Sequence, residues 1–73
     1  MKYLVTFHTT AQAMAMEKKC GERSLPGRLI PVPRQISSGC GMAWCVPAEN
    51  REEIHAMLIN GEVDYYEEYE ILI

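Results

Sequence analysis

A chain of 73 residues, 48% apolar and 23% charged with a net charge of −3, has the composition of a folded protein and the length of one domain, residues 1–73. At this size only about 60% of the unfolded surface is buried on folding, which excludes a deep enclosed pocket with its own supporting shell. Overall acidity and the lack of an RNA-binding aromatic signature argue against nucleic acid as partner, and no run of ~20 apolar residues is present to span a membrane.

The opening Met1-Lys2-Tyr3-Leu4-Val5-Thr6-Phe7-His8 is too short and too interrupted for a signal peptide, so the cytoplasm is the expected compartment. Three cysteines are an odd number that does not suit a closed disulfide framework, and reduced thiols are expected. Charge is uneven. Residues 1–46 carry six Lys or Arg against two Glu, a net of +4, and residues 47–73 carry one Arg against eight Asp or Glu, a net of −7. One basic and one acidic side suit docking on another protein by charge.

Lys2 to His8 alternates, with Tyr3, Val5 and Phe7 on one face, and predicts a first strand. Thr9 with Gln12 fits a capping box, followed by a helix with Ala13, Met16 and Cys20 on its apolar stripe. The helix stops at Gly21 or runs on to Arg23 and Ser24, and Leu25-Pro26-Gly27 makes the turn out. Arg28 to Val32 predicts a second strand, which Pro31 and Pro33 confine to a sheet edge or cut short. After a polar loop from Gln35 to Gly39, Gly41 to Val46 predicts a third strand with Met42, Trp44 and Val46 on one face. Asn50 with Glu53 offers a second cap. Ile54, Met57 and Leu58 form a buried helical stripe, and Asn60-Gly61 closes that helix. Val63 to Ile73 predicts a last strand, rich in Tyr and Glu. Strand, helix, strand, strand, helix, strand is the α+β, ferredoxin-like split βαβ arrangement, an antiparallel sheet with both helices on one face.

The best candidate for chemistry lies in Arg28-Leu-Ile-Pro-Val-Pro-Arg34-Gln-Ile-Ser37-Ser38-Gly39-Cys40-Gly41. Two prolines stiffen the chain ahead of the loop, and two glycines bracket the Cys40 thiol, where missing side chains let another molecule approach the sulfur. Arg34, and Arg28 further back, supply positive charge, and the Ser37 and Ser38 hydroxyls can donate hydrogen bonds. Both effects favour a thiolate.

The Arg-Leu-Ile-Pro-Val-Pro-Arg, Ile-Ser-Ser and Cys-Gly runs resemble a family of short bacterial proteins described as sulfur or selenium carrier-like. The resemblance covers nearly the whole chain, with Ala13 and Glu17 at recurrent positions of the first helix and Pro26 and Arg28 also aligned. It implies that Cys40 is the carrier residue, with Arg34, Ser37, Ser38 and Gly41 forming its motif. It also implies a cysteine-desulfurase-type donor and an acceptor protein as partners, and a carrier rather than a complete enzyme. Two positions depart from the pattern: Gly27 stands where a β-branched strand residue is expected, and Gly39 where a polar one is expected.

Other residues have plainer readings. Cys40 could be a structural loop cysteine, Cys20 reads as core, and Cys45 falls on the sheet's other face, exposed or covered by a partner. A disulfide between Cys40 and Cys45 must bridge ~16 Å of strand. The C-x4-C spacing lacks a second matched pair, so no metal is expected, and nothing in the sequence calls for a cofactor. His8 and His55 read as solvated surface histidines, and Arg34 could be no more than a solvated loop residue. Tyr65, Tyr66 and Tyr69, interleaved with Glu67, Glu68 and Glu70, suit either an exposed acidic edge or an interface. The alternative function is a small ferredoxin-like interaction or ligand-binding module, a homodimer through its sheet, with Cys40 incidental.

Overall fold

A computed structural model describes residues 1–36 and 40–72. Those residues form β1 (Lys2–Thr6), α1 (Thr10–Glu22), β2 (Arg28–Pro31), β3 (Met42–Pro47), a short 3-10 turn (Ala48–Asn50), α2 (Arg51–Ile59) and β4 (Glu68–Ile71). The four strands lie in the order β2-β3-β1-β4, each antiparallel to its neighbours. This is the ferredoxin-like α+β arrangement predicted from the element order. β2 takes an edge, as its prolines require.

Period-two alternation sorts the side chains of the sheet. Tyr3, Val5 and Phe7 from the first strand region and Trp44 and Val46 from β3 face the helices. There they form one cluster with Ala13, Met16 and Cys20 of α1 and Ile54, Met57 and Leu58 of α2. Both helical stripes are those predicted. On the opposite face Leu4, Ala43 and Cys45 form a second, smaller cluster, with Ile36 from the β2–β3 loop laid over them. Cys45 is buried in that cluster.

Local signals set the helix ends. Thr9 caps α1 by accepting from the Gln12 N–H at 3.2 Å, and the Gln12 side chain reaches back to the His8 N–H at 2.9 Å. The helix passes through Gly21 and ends on a left-handed residue, Ser24 at φ +55°. The Leu25 N–H bonds the Cys20 carbonyl at 2.9 Å, and the Ser24 N–H bonds the Gly21 carbonyl at 3.3 Å. At the end of α2, Gly61 at φ +73° plays the same part, as predicted from Asn60-Gly61. Asn50 is different. Its side chain caps no backbone group and instead donates to the Glu53 carboxylate at 3.2 Å, because the chain enters α2 through a 3-10 turn.

β4 begins at Glu68 rather than at Val63. Val63 is buried in the helix-side core, and the segment that follows meets the end of β1 irregularly. Tyr66 N–H bonds the Thr6 carbonyl at 2.8 Å, while Thr6 N–H bonds the Glu67 carbonyl at 2.9 Å. Two residues thus oppose one, which is a bulge. The buried Thr6 hydroxyl accepts from Glu67 N–H at 3.2 Å.

The glycine at position 27 has a packing cause. A Cβ there would lie 2.6 Å from the indole of Trp44, and φ is +139°, a conformation that other residues rarely adopt. Trp44 occupies the space that a β-branched residue would need. Gly21, by contrast, has nothing within 4 Å of an added Cβ and sits in the last turn of α1. Gly21→Ala is expected to raise unfolding stability by about 0.5–1 kcal/mol, and Gly27→Ala to lower it by about 1–3 kcal/mol. Urea denaturation of the two variants beside the wild type measures both.

Candidate functional site

β2 and β3 form a hairpin, and the Val32 N–H extends its ladder to the Gly41 carbonyl at 3.0 Å. Pro33 then opens a turn closed by the Ile36 N–H on the Pro33 carbonyl at 3.0 Å, with Arg34 and Gln35 exposed at its crest. Ile36 swings back and is buried on the helix-free face. The chain returns to the hairpin at Cys40 and Gly41, immediately ahead of β3.

Cys40 is half-buried and packs against the helix-side core beside Met42, with its Sγ 3.6 Å from the Met42 carbonyl oxygen. That is a long, weak S–H···O contact. Gly41 stands at φ +77°, in the left-handed region that the turn into β3 needs. A Cβ at Gly41 would meet nothing within 4 Å.

Of the other predicted site residues, Arg34 is exposed in the turn that precedes Cys40 in the same loop. Ser37 and Ser38 lie outside the described residues, as does Gly39. Arg28 pairs across the hairpin with Cys45, whereas Val32 pairs with Gly41. Four residues of strand, about 13 Å, therefore separate Arg28 from the Cys40 end. Cys45 belongs to the helix-free cluster and Cys40 packs on the helix side, so the two thiols lie on opposite faces of the sheet. Among the described residues no cysteine is in a disulfide, and no group of three or more His, Cys, Asp or Glu could hold a metal ion.

Cys20 is the core residue predicted from its stripe. Fully buried, its thiol donates toward the Met16 sulfur at 3.6 Å. Burial pushes it up to about 11, against smaller opposing pulls from Arg23 and the Trp44 N–H. A group held protonated in the core is no nucleophile at neutral pH.

A second cluster went unread in the sequence. Glu68, at the start of β4, accepts a hydrogen bond from the Tyr3 hydroxyl and a contact from His55 Nδ1 at 2.7 Å. Next to it Arg51 Nε lies 2.7 Å from Glu70, and its guanidinium sits 5.7 Å from the Tyr3 ring centre. His55 is thus paired to a carboxylate and is not a free solvated histidine, whereas His8 is exposed, with its ring tilted against Tyr66 at 4.7 Å between centres. The acidic edge is partly neutralised from within the fold. The signal was present: Glu68 and Glu70 are two residues apart, so both face the helices with Tyr3 once the strand register is known. The register itself was not readable.

A family model described as "Putative Se/S carrier protein-like" matches residues 2–70. The chain belongs to that family. The match takes in β2, the loop with Cys40, β3 and both helices, and the family's name points to sulfur or selenium carriage. No curated protein and no solved structure matches the chain. No helix among the described residues is long and apolar enough to cross a membrane.

The Glu68 cluster predicts how stability depends on pH. Burial pushes the Glu68 carboxyl up, but hydrogen bonds from Tyr3 and His55 with the charges of His55 and Arg51 outweigh it, leaving it below its usual 4.5. Its contribution is present above that value and lost as pH falls below it. Burial, then Glu68, raises the Tyr3 hydroxyl above its usual 10.0, so its contribution is lost as pH rises beyond 10.0. Melting temperature followed from pH 3 to pH 11, a range set to bracket both groups by about one unit, is expected to fall at both ends. In Glu68→Gln the acid-side fall is expected to be shallower.

Proposed function

We propose that this chain is a sulfur or selenium carrier of the cytoplasm, acting as one domain of 73 residues. Cys40 accepts the transferred atom as a persulfide or selenopersulfide and presents it to an acceptor enzyme. The observation that carries the proposal is the seat of Cys40. The thiol stands at the mouth of a hairpin, beside a left-handed Gly41 with open space where a side chain would be. A carrier needs a reachable nucleophilic sulfur and a docking surface, and it needs no enclosed pocket. Membership of the carrier-like family supports the same conclusion.

The transfer balances without an added oxidant. The Cys40 thiolate attacks the terminal sulfur of a persulfide on a cysteine-desulfurase-type donor, and a new S–S bond forms on Cys40. The donor's S–S bond breaks, its electron pair leaves with the donor cysteine sulfur, and that sulfur takes up the proton released by Cys40. Arg34, Ser37, Ser38 and Gly41 make up the motif around this sulfur, and Gly41 adds no side chain beside it. Arg28, farther along the hairpin, adds charge for docking rather than contact with the sulfur.

A second reading has one observation in its favour. The helix-free face of the sheet carries the partly exposed apolar residues Ile30, Val32, Tyr69 and Ile71 around a buried cluster of Leu4, Ile36, Ala43 and Cys45. That face suits an interaction module, or a homodimer, in which Cys40 is incidental. The two are separated by incubating the protein with a cysteine desulfurase and cysteine, then locating added sulfur by mass spectrometry of peptides. Wild type and Cys45→Ser are expected to gain one sulfur atom on the Cys40 peptide, and Cys40→Ser to gain none. Equal loading of Cys40→Ser would overturn the carrier role.

A further inference from the structure

The helix-free face of the sheet also holds a cavity of about 280 Å³, lined by Lys2, Pro26, Gly27, Arg28, Cys45 and Pro47. Register accounts for its composition. Arg28 lies directly opposite Cys45 and Lys2 directly opposite Pro47, and alternation puts Lys2 with Leu4 on the Cys45 face. Pro26 and Pro47 supply short rigid walls. Gly27, whose backbone passes close to Trp44 on the other side, lines it as well.

The electrostatics of this cavity are one-sided. Two cationic side chains line it and no acidic one does. Neither Lys2 nor Arg28 is in an ion pair among the described residues, although the chain has ten Asp and Glu. Two of the other three arginines are matched, Arg23 with Glu62 and Arg51 with Glu70. Two like charges beside one small concavity repel each other, and a bound anion turns that repulsion into attraction. Arg28 brings a planar fork of donors that fits an oxyanion edge, and Lys2 a compact charge. Cys45, 8% exposed, is part of the same lining.

We propose that this cavity binds a small doubly charged oxyanion, held between Lys2 and Arg28 beside Cys45. The site goes beyond the carrier role and is independent of Cys40, which lies on the other side of the sheet. Sulfate, phosphate and thiosulfate share the required chemistry, and a titration separates them.

Each of the three anions is titrated into the isotopically labelled protein with sodium chloride at matched ionic strength as reference, and backbone amide shifts are followed. At least one anion is expected to move the amides of Lys2, Gly27, Arg28 and Cys45 saturably, and the order of affinity among the three names the class. Lys2→Met and Arg28→Met are each expected to weaken binding by about tenfold, the loss of one charge-assisted contact. Lys18→Met, on the exposed side of α1, is expected to leave it unchanged. Shifts matched by chloride, or binding that survives the double variant Lys2→Met with Arg28→Met, would overturn the proposal.

Discussion

β3 pairs with β1 on one side and β2 on the other, so its pleat decides what each face of the molecule contains. Successive residues along a strand must point to opposite faces. Trp44 and Val46 therefore enter the core under the helices, while Ala43 and Cys45 face away. A slip of one residue would bury Cys45 among the helices and turn Trp44 out. Trp44 resists such a slip, since its indole fills the space beside Gly27 and holds β2 at one register against β3.

Three thiols acquire three environments from that constraint. Cys20 is locked in the core and held protonated by burial. Cys45 is buried on the helix-free face, in the lining shared by Lys2 and Arg28. Cys40 alone among the three precedes a strand, at the place where the hairpin ladder ends with Val32 and Gly41. β2, with Arg28, and β4, with Glu68 and Glu70, lie at opposite edges of the sheet. Tyr3, His55 and Arg51 bind the acidic edge to β1 and α2, which leaves the basic edge as the less compensated one.

Much of this was legible in the chain. The Ala13, Met16, Cys20 stripe, Asn60-Gly61 and the alternation through Trp44 each act within a few residues and took the predicted form, and Thr9 caps α1, with the Gln12 side chain bonding the His8 N–H instead of that of Thr9. The order of elements was enough to give the ferredoxin-like topology. What escaped depended on register between distant strands. Glu68 meets Tyr3 across 65 positions, and Gly27 meets Trp44 through a hairpin whose loop length does not fix the pairing. Arg28 looked like a neighbour of Cys40 in sequence, but antiparallel pairing places it opposite Cys45. Asn50 misled for a local reason: the signal for a cap was present, yet the 3-10 turn before α2 took the position over.

The central claim is that Cys40 is the thiol built for reaction. It is tested most directly by alkylating the folded protein and reading the rate at each cysteine by mass spectrometry across pH. The account predicts fast labelling at Cys40, slower labelling at the buried Cys45, and none at Cys20 until the protein unfolds. Labelling of Cys40 as slow as that of Cys20 would contradict it, and would leave the hairpin loop as structure without chemistry.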